Sequence, residues 1–164
     1  MNENMRSCAG IIIYRKNTES EKYEVCLVQS EKFRHQETGT LLYIIPGGKT
    51  EEGDYTEIKQ EDPKREEKAA FACARRETKE EVGLDLENLV LLQQKTKTGL
   101  EMGFKDLTMH FILYDFIAEG KGTIKIGEEL VHAAWYAFDK LPESMLPYMG
   151  QLLEQAYKTH INPG

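Results

Sequence analysis

Residues 75–84, Arg-Arg-Glu-Thr-Lys-Glu-Glu-Val-Gly-Leu, constrain this chain more than any other segment. Read as helix, they place Glu77, Glu80 and Glu81 at i, i+3 and i+4, so three carboxylates share one face. Such neighbours repel by about 0.2–0.5 kcal/mol per pair on an exposed helix. They also crowd the C-terminal half, where the helix dipole disfavours anions. A helix gains nothing from this arrangement alone. A hard divalent cation converts the penalty into a site, since Mg²⁺ takes oxygen ligands from one or two carboxylates and from substrate phosphates.

The flanking residues make the helix credible. Ala69, Ala70, Cys73, Ala74, Thr78 and Val82 recur at spacings of three and four, giving a face of small residues. Asp62-Pro63 supplies an N-cap and a first helical residue, which predicts a helix over 63–82. Gly83 stands where a left-handed C-cap is wanted. Before this helix, residues 7–14, 23–29 and 41–45 read as strands, the last stopped by Pro46-Gly47-Gly48. After it, residues 89–92, 107–117 and 131–138 read as strands. Residues 143–157 carry apolar side chains at Met145, Leu146, Met149, Leu152, Leu153 and Tyr157, an amphipathic helix. Strands, helix, strands, helix imply an α/β chain with a mixed sheet packed between helices. With 164 residues, no internal repeat and no linker, a single domain over 1–164 is expected.

The helix motif has company. Gly48-Lys49-Thr50-Glu51-Glu52-Gly53-Asp54, followed by Arg76-Glu77-Thr78-Lys79-Glu80-Glu81-Val82-Gly83-Leu84, resembles the Nudix box, G-x5-E-x7-R-E-U-x-E-E-x-G-U. The second half matches every fixed position except that Thr78 occupies the aliphatic site. Pro46-Gly47-Gly48 matches the family's lead-in, and Glu129, Trp135-Tyr136 and Leu141-Pro142 resemble its late acid and closing strand. The resemblance spans about Cys8 to Pro142.

Two departures stand out. Asp54 replaces the first glutamate of the box, and twenty-one residues, Tyr55 to Arg75, separate it from Arg76 where the family has seven. Dividing the fourteen extra residues, we expect about two turns to lengthen the helix back to Asp62 and the remainder to enlarge the loop. The insertion leaves open whether Asp54, Glu66 or Glu67 fills the first acid's role.

The resemblance implies a Nudix-like α/β/α sandwich and a pyrophosphohydrolase that cleaves a nucleoside diphosphate linked to a group X with Mg²⁺ or Mn²⁺. It implies metal ligands at Glu77, Glu80 and Glu81, with a backbone carbonyl from Gly48. Arg76 would orient a catalytic carboxylate through paired N–H donors. Glu80 and Glu129 are rival general bases, with Glu128 a neighbour to Glu129. Arg34, Lys49, Tyr43 and Phe104 are the candidate substrate contacts. A nucleoside triphosphate or related nucleotide is the expected substrate. The alternatives are an ADP-ribose or dinucleoside polyphosphate hydrolase, and a sensor that binds without turnover.

The composition narrows the partners. The net charge is −7, and residues 51–81 carry eleven acids and seven bases, so −4 of it sits in this one stretch. That excludes a polyanion binder working by its own field. It fits a site that reaches small phosphates through cations. No nucleic-acid or membrane partner is expected, and homodimerisation is left open. Three cysteines without a CxxC pair (Cys8, Cys26, Cys73) read as reduced core residues of a cytoplasmic protein. The four histidines lack metal-ligand spacing.

Overall fold

The computed structural model describes residues 5–98, 101 and 109–164. Strands β1 (Met5–Lys16), β2 (Tyr23–Gln29) and β3 (Gly47–Lys49) precede helix α1 (Arg65–Val82). Strands β4 (Asp85–Thr98), β5 (His110–Lys121) and β6 (His132–Ala137) lead to helix α2 (Met149–Ala156) and a π turn over Tyr157–Ile161. The described strands form one mixed sheet in the order β4-β5-β1-β2-β6, with β3 joined to β1. β1 runs parallel to β5 and antiparallel to β2 and β3.

Alternation along β1 and β5 sorts side chains between two cores. Ala9, Ile11 and Ile13 meet Tyr114, Phe116, Ala70, Cys73 and Ala74 on the α1 side. Ile12, Ile117, Met149 and Leu153 pack on the α2 side. Ile11, Ile12 and Ile13 are all fully buried, so the central strand is covered on both faces. Each such side chain contributes about 1.5–3 kcal/mol of burial. The sheet thus lies between helices, as expected.

Several expected boundaries move. Residues 41–45 do not form a continuous strand: Leu41, Tyr43 and Ile44 make isolated bridges to Arg34, Met145 and Val28. The strand lies just beyond, at Gly47–Lys49, where Pro46-Gly47-Gly48 suggested a stop. Gly47 pairs with Gly10, and a Cβ on Gly47 would fall 2.1 Å from the Ala9 carbonyl oxygen. Only a residue without a side chain can approach β1 this closely.

Helix α1 starts at Arg65 with Lys64 as its N-cap, about one turn earlier than the family's spacing instead of two. The Asp62 carboxylate accepts from the Lys64 N–H, and its carbonyl accepts from Arg65 N–H, so Asp62 closes a turn in front of the helix and does not cap it. The tail helix begins after Pro147, six residues later than its apolar pattern suggested, because the residue before a proline is pushed away from helix. Strand β4 runs longer than expected, over Asp85–Thr98, and β5 ends later, at Lys121, while residues 107 and 108 of its expected range lie outside the described residues; β6, His132–Ala137, is one residue shorter at each end. Among the described residues, no helix is long and apolar enough to cross a membrane.

Candidate active site

Helix α1 turns its small residues to the sheet, and that face brings Glu77 and Glu81 inward with them. Both are about 7% exposed. Thr78, at the box's aliphatic position, is fully buried and donates from Oγ1 to the Ala74 carbonyl at 2.8 Å, which satisfies its hydroxyl inside the helix. Gly83 ends the helix at φ 69°, in the left-handed region that favours glycine.

Two backbone segments close on the carboxylates. Gly47 N–H donates to Glu81 Oε1 at 3.4 Å, and a Cβ on Gly48 would fall 2.5 Å from Glu77 Oε1. The double glycine therefore lets β3 lie directly against the acids. From the other side, the chain after β5 crosses the end of α1. There Lys125 N–H donates to the Val82 carbonyl at 2.8 Å and Gly127 N–H to the Glu81 carbonyl at 2.9 Å. This crossing sets Glu129 at the rim of the cavity.

Arg76 ties the insertion to the site. Its Nε and Nη2 donate to the two Asp54 oxygens, each at 3.0 Å, in the paired geometry a carboxylate accepts. Nη1 donates to Glu77 Oε1 at 2.9 Å and to Glu80 Oε2 at 3.3 Å, and Nη2 also reaches the Lys49 carbonyl at 3.2 Å. Asp54 sits in a 3₁₀ turn over Glu52–Tyr55, where its Oδ2 also accepts from Glu51 N–H at 2.8 Å. Residues 55–75 leave this turn and return along α1, so Asp54 and Arg76 meet across them. Glu66 is occupied elsewhere, accepting from Tyr55 Oη at 2.6 Å and Ser7 Oγ at 3.2 Å.

The electrostatics follow from these contacts. Burial pushes the Glu77 and Glu81 carboxyls above the usual range, and their mutual contact pushes Glu81 further. Burial also acts on Asp54, but the Arg76 and Glu51 donors outweigh it and hold that carboxyl below its ordinary value. Hydrogen bonding to Asp54 keeps Arg76 firmly cationic. Burial raises the Cys8 and Cys73 thiols to about 12, so neither is a thiolate nucleophile.

A cavity of about 300 Å³ opens beside these groups. Glu77, Glu81, Glu129, Gly48 and Lys49 line it, together with Glu51 and Asp115, which the sequence reading passed over. Glu51 carried a signal, lying between the glycines and Asp54 in the box itself. Asp115 carried another, a lone acid inside the apolar run of β5. Glu80 lies outside the lining, exposed and paired with Arg76. Arg34 is held in its own loop by Glu31 and the Gly39 carbonyl. Tyr43 packs edge-on against Tyr136 and His132. Neither lines the cavity. Phe104 lies outside the described residues.

The NUDIX domain model matches residues 5–156, nearly the whole chain. This chain belongs to the NUDIX family. As a class these proteins are pyrophosphohydrolases, which generally use divalent metal ions. Solved Nudix structures share the fold. A MutT NUDIX hydrolase from Burkholderia pseudomallei is 24% identical, with a TM-score of 0.61 over 93% of this chain and 98% of that one. The NUDIX domain of NrtR from Shewanella oneidensis, solved with ADP ribose, is 14% identical, with a TM-score of 0.66 over 96% and 89%. A C. elegans Ap4A hydrolase is 20% identical, with a TM-score of 0.55 over 90% and 93%. No curated protein matches the sequence.

Among the described residues, no three His, Cys, Asp or Glu side chains stand ready to hold a metal ion. The donor set nevertheless suits a hard cation that completes its shell with substrate phosphates. Two buried carboxylates meet the glycine backbone of β3, whose Gly48 carbonyl accepts from the Cys73 thiol at 3.5 Å, and Glu80 is the neighbour of Glu81 on the same helix.

Proposed function

We propose that this Nudix hydrolase cleaves a phosphoanhydride bond of a nucleoside diphosphate linked to X, a nucleoside triphosphate or related nucleotide foremost, by attack of water on phosphorus. The observation that carries this reading is the buried Glu77–Glu81 pair facing a nucleotide-sized cavity. Glu77 and Glu81, with the Gly48 carbonyl, would hold Mg²⁺ or Mn²⁺, and Glu80 would join them by turning from Arg76. When bound, the ion supplies charge neutralisation of the diphosphate and polarisation of phosphorus and water.

The remaining steps belong to the chain. Arg76 fixes Glu77 and Asp54 at once, so the ligand face of α1 cannot swing when substrate arrives. Lys49, on the cavity wall, offers a point charge to a phosphate oxygen. Glu129 faces the cavity and serves as the general base, taking a proton from the attacking water; Glu80 faces Arg76 instead.

A Mg²⁺-dependent hydrolysis screen over nucleoside triphosphates, ADP-ribose and dinucleoside polyphosphates tests this, with Glu81→Gln as control. Turnover of a nucleotide, lost in the variant, supports it. Tight nucleotide binding with no turnover of any substrate overturns it in favour of a sensor.

A further inference from the structure

Asp115 has no part in the reaction described above, yet it lines the same cavity. It is 3% exposed, in the middle of β5. Alternation places Tyr114 and Phe116 in the α1 core and Ile117 in the α2 core, so Asp115 points to the α2 side of the sheet. Gly10 on β1 pairs with Asp115 on one side and with Gly47 on the other. Two strand spacings, about 10 Å, thus separate the backbone of Asp115 from that of Gly47 beside the metal-binding carboxylates. That is the kind of separation a nucleoside has between its phosphates and its base.

The carboxylate is half engaged. Oδ2 accepts from Gln93 Nε2 at 2.9 Å and lies 3.7 Å from Lys95 Nζ. Among the described residues, no hydrogen bond reaches Oδ1. Oδ1 instead lies 3.0 Å from the position a Cβ on Gly10 would take, with Ile45 Cδ1 at 2.9 Å from the same point, so glycine at residue 10 lets both side chains pack close over β1. Phe33, Phe111 and Tyr148 line the same cavity and give flat apolar walls for a ring.

We propose that Asp115 is a specificity residue that reads the donor edge of a guanine base. This inference rests on the nucleotide reading of the same cavity. A carboxylate only accepts hydrogen bonds. Guanine presents a ring N–H beside an amino group, two adjacent donors. Adenine and cytosine present an amino group beside a ring acceptor, and uracil presents one N–H flanked by carbonyls; each of these sets a lone pair against the acid. Gln93 holds the carboxylate in place through Oδ2, leaving Oδ1 for the amino group.

The test compares kcat/KM for guanosine and inosine triphosphates, which differ only by that amino group, in the wild type and in Asp115→Asn. The wild type should prefer guanosine by about 10- to 100-fold, the range expected for a hydrogen bond to a charged group. In Asp115→Asn the ratio should fall towards one, with the change carried by KM. Gln93→Met, which frees the carboxylate without removing it, should lower the ratio partway, and it serves if Asp115→Asn does not fold.

A wild-type ratio near one overturns the proposal, as does a ratio that persists in folded Asp115→Asn. A 2′-deoxyguanosine arm separates base from sugar: if Asp115→Asn erases ribose preference and leaves base preference, the base reading is overturned. If the wild type turns over no nucleotide, the proposed hydrolysis fails by itself. Equilibrium dialysis of the two triphosphates with Mg²⁺ then decides the base reading by the same ratio.

Discussion

Asp54 and Asp115 are buried to nearly the same extent, 5% and 3% exposed, and their carboxyls shift in opposite directions. Burial acts on both. Asp54 meets the Arg76 fork at two oxygens and a backbone N–H, which together overcome it. Asp115 meets one amide N–H and a lysine 3.7 Å away, which do not. Asp115 also lies deeper in the interior, so burial weighs more on it, while at Asp54 the Arg76 fork outweighs a smaller burial effect. The carboxylates around α1 are therefore tied into a scaffold, whereas Asp115 keeps an oxygen for something that arrives.

The widest contrast between the two regions should be in turnover. Glu81→Gln removes a proposed metal ligand. A loss of several kcal/mol of transition-state stabilisation corresponds to about a 10³-fold fall in kcat, read by phosphate release under saturating Mg²⁺. Near-normal turnover would remove α1 from the chemistry. Asp115→Asn should instead act on KM.

The scaffold itself comes next. Arg76→Met leaves the Asp54 charge buried without its partner, which should cost about 3 kcal/mol in urea unfolding. Adding Asp54→Asn should recover part of that loss. Full additivity of the two changes would mean that the pair is not coupled. Gly47→Ala drives a Cβ into the Ala9 carbonyl and should cost about 1–3 kcal/mol, with β3 pulled from β1. Amide exchange at Lys49 and Gly48 would report the loosening.

The smallest effect has the opposite sign. The folded-state pKa of Asp115 lies above its unfolded value. The folded chain therefore binds this proton more tightly, and stability falls as pH rises from the unfolded pKa through the folded one. Asp115→Asn should accordingly raise stability at neutral pH by about 1 kcal/mol and by less near pH 4, as measured by thermal melts. Destabilisation at pH 7 would mean that the carboxylate is a structural anchor, and the contrast with Asp54 would vanish.

The carboxylate-bearing helix was legible because its charges fall at i, i+3 and i+4 between small residues and a terminal glycine, a pattern that needs no tertiary context. Gly47–Lys49 was not. Glycine has little intrinsic preference for strands, and it forms one here because β1 comes so close that no side chain fits. Residues 41–45 misled for the converse reason: strand-forming side chains whose backbone finds three different partners, so no ladder forms. Asp62-Pro63 carried a cap signal, yet the Asp62 carboxylate bonds two residues on and makes a turn. The charged pair Arg76–Asp54 spans a long insertion, and sequence spacing could not show that the loop returns to place. Arg34 and Tyr43 have residue types suited to nucleotide contacts. Their own loop and aromatic neighbours hold them elsewhere.

Mn²⁺ binding, followed by electron paramagnetic resonance in the wild type and in Glu77→Gln/Glu81→Gln, tests the central claim most directly. The account predicts a site in the wild type that tightens with added nucleotide and weakens by at least about 100-fold in the double variant. Equal Mn²⁺ affinity in the two folded proteins would contradict it.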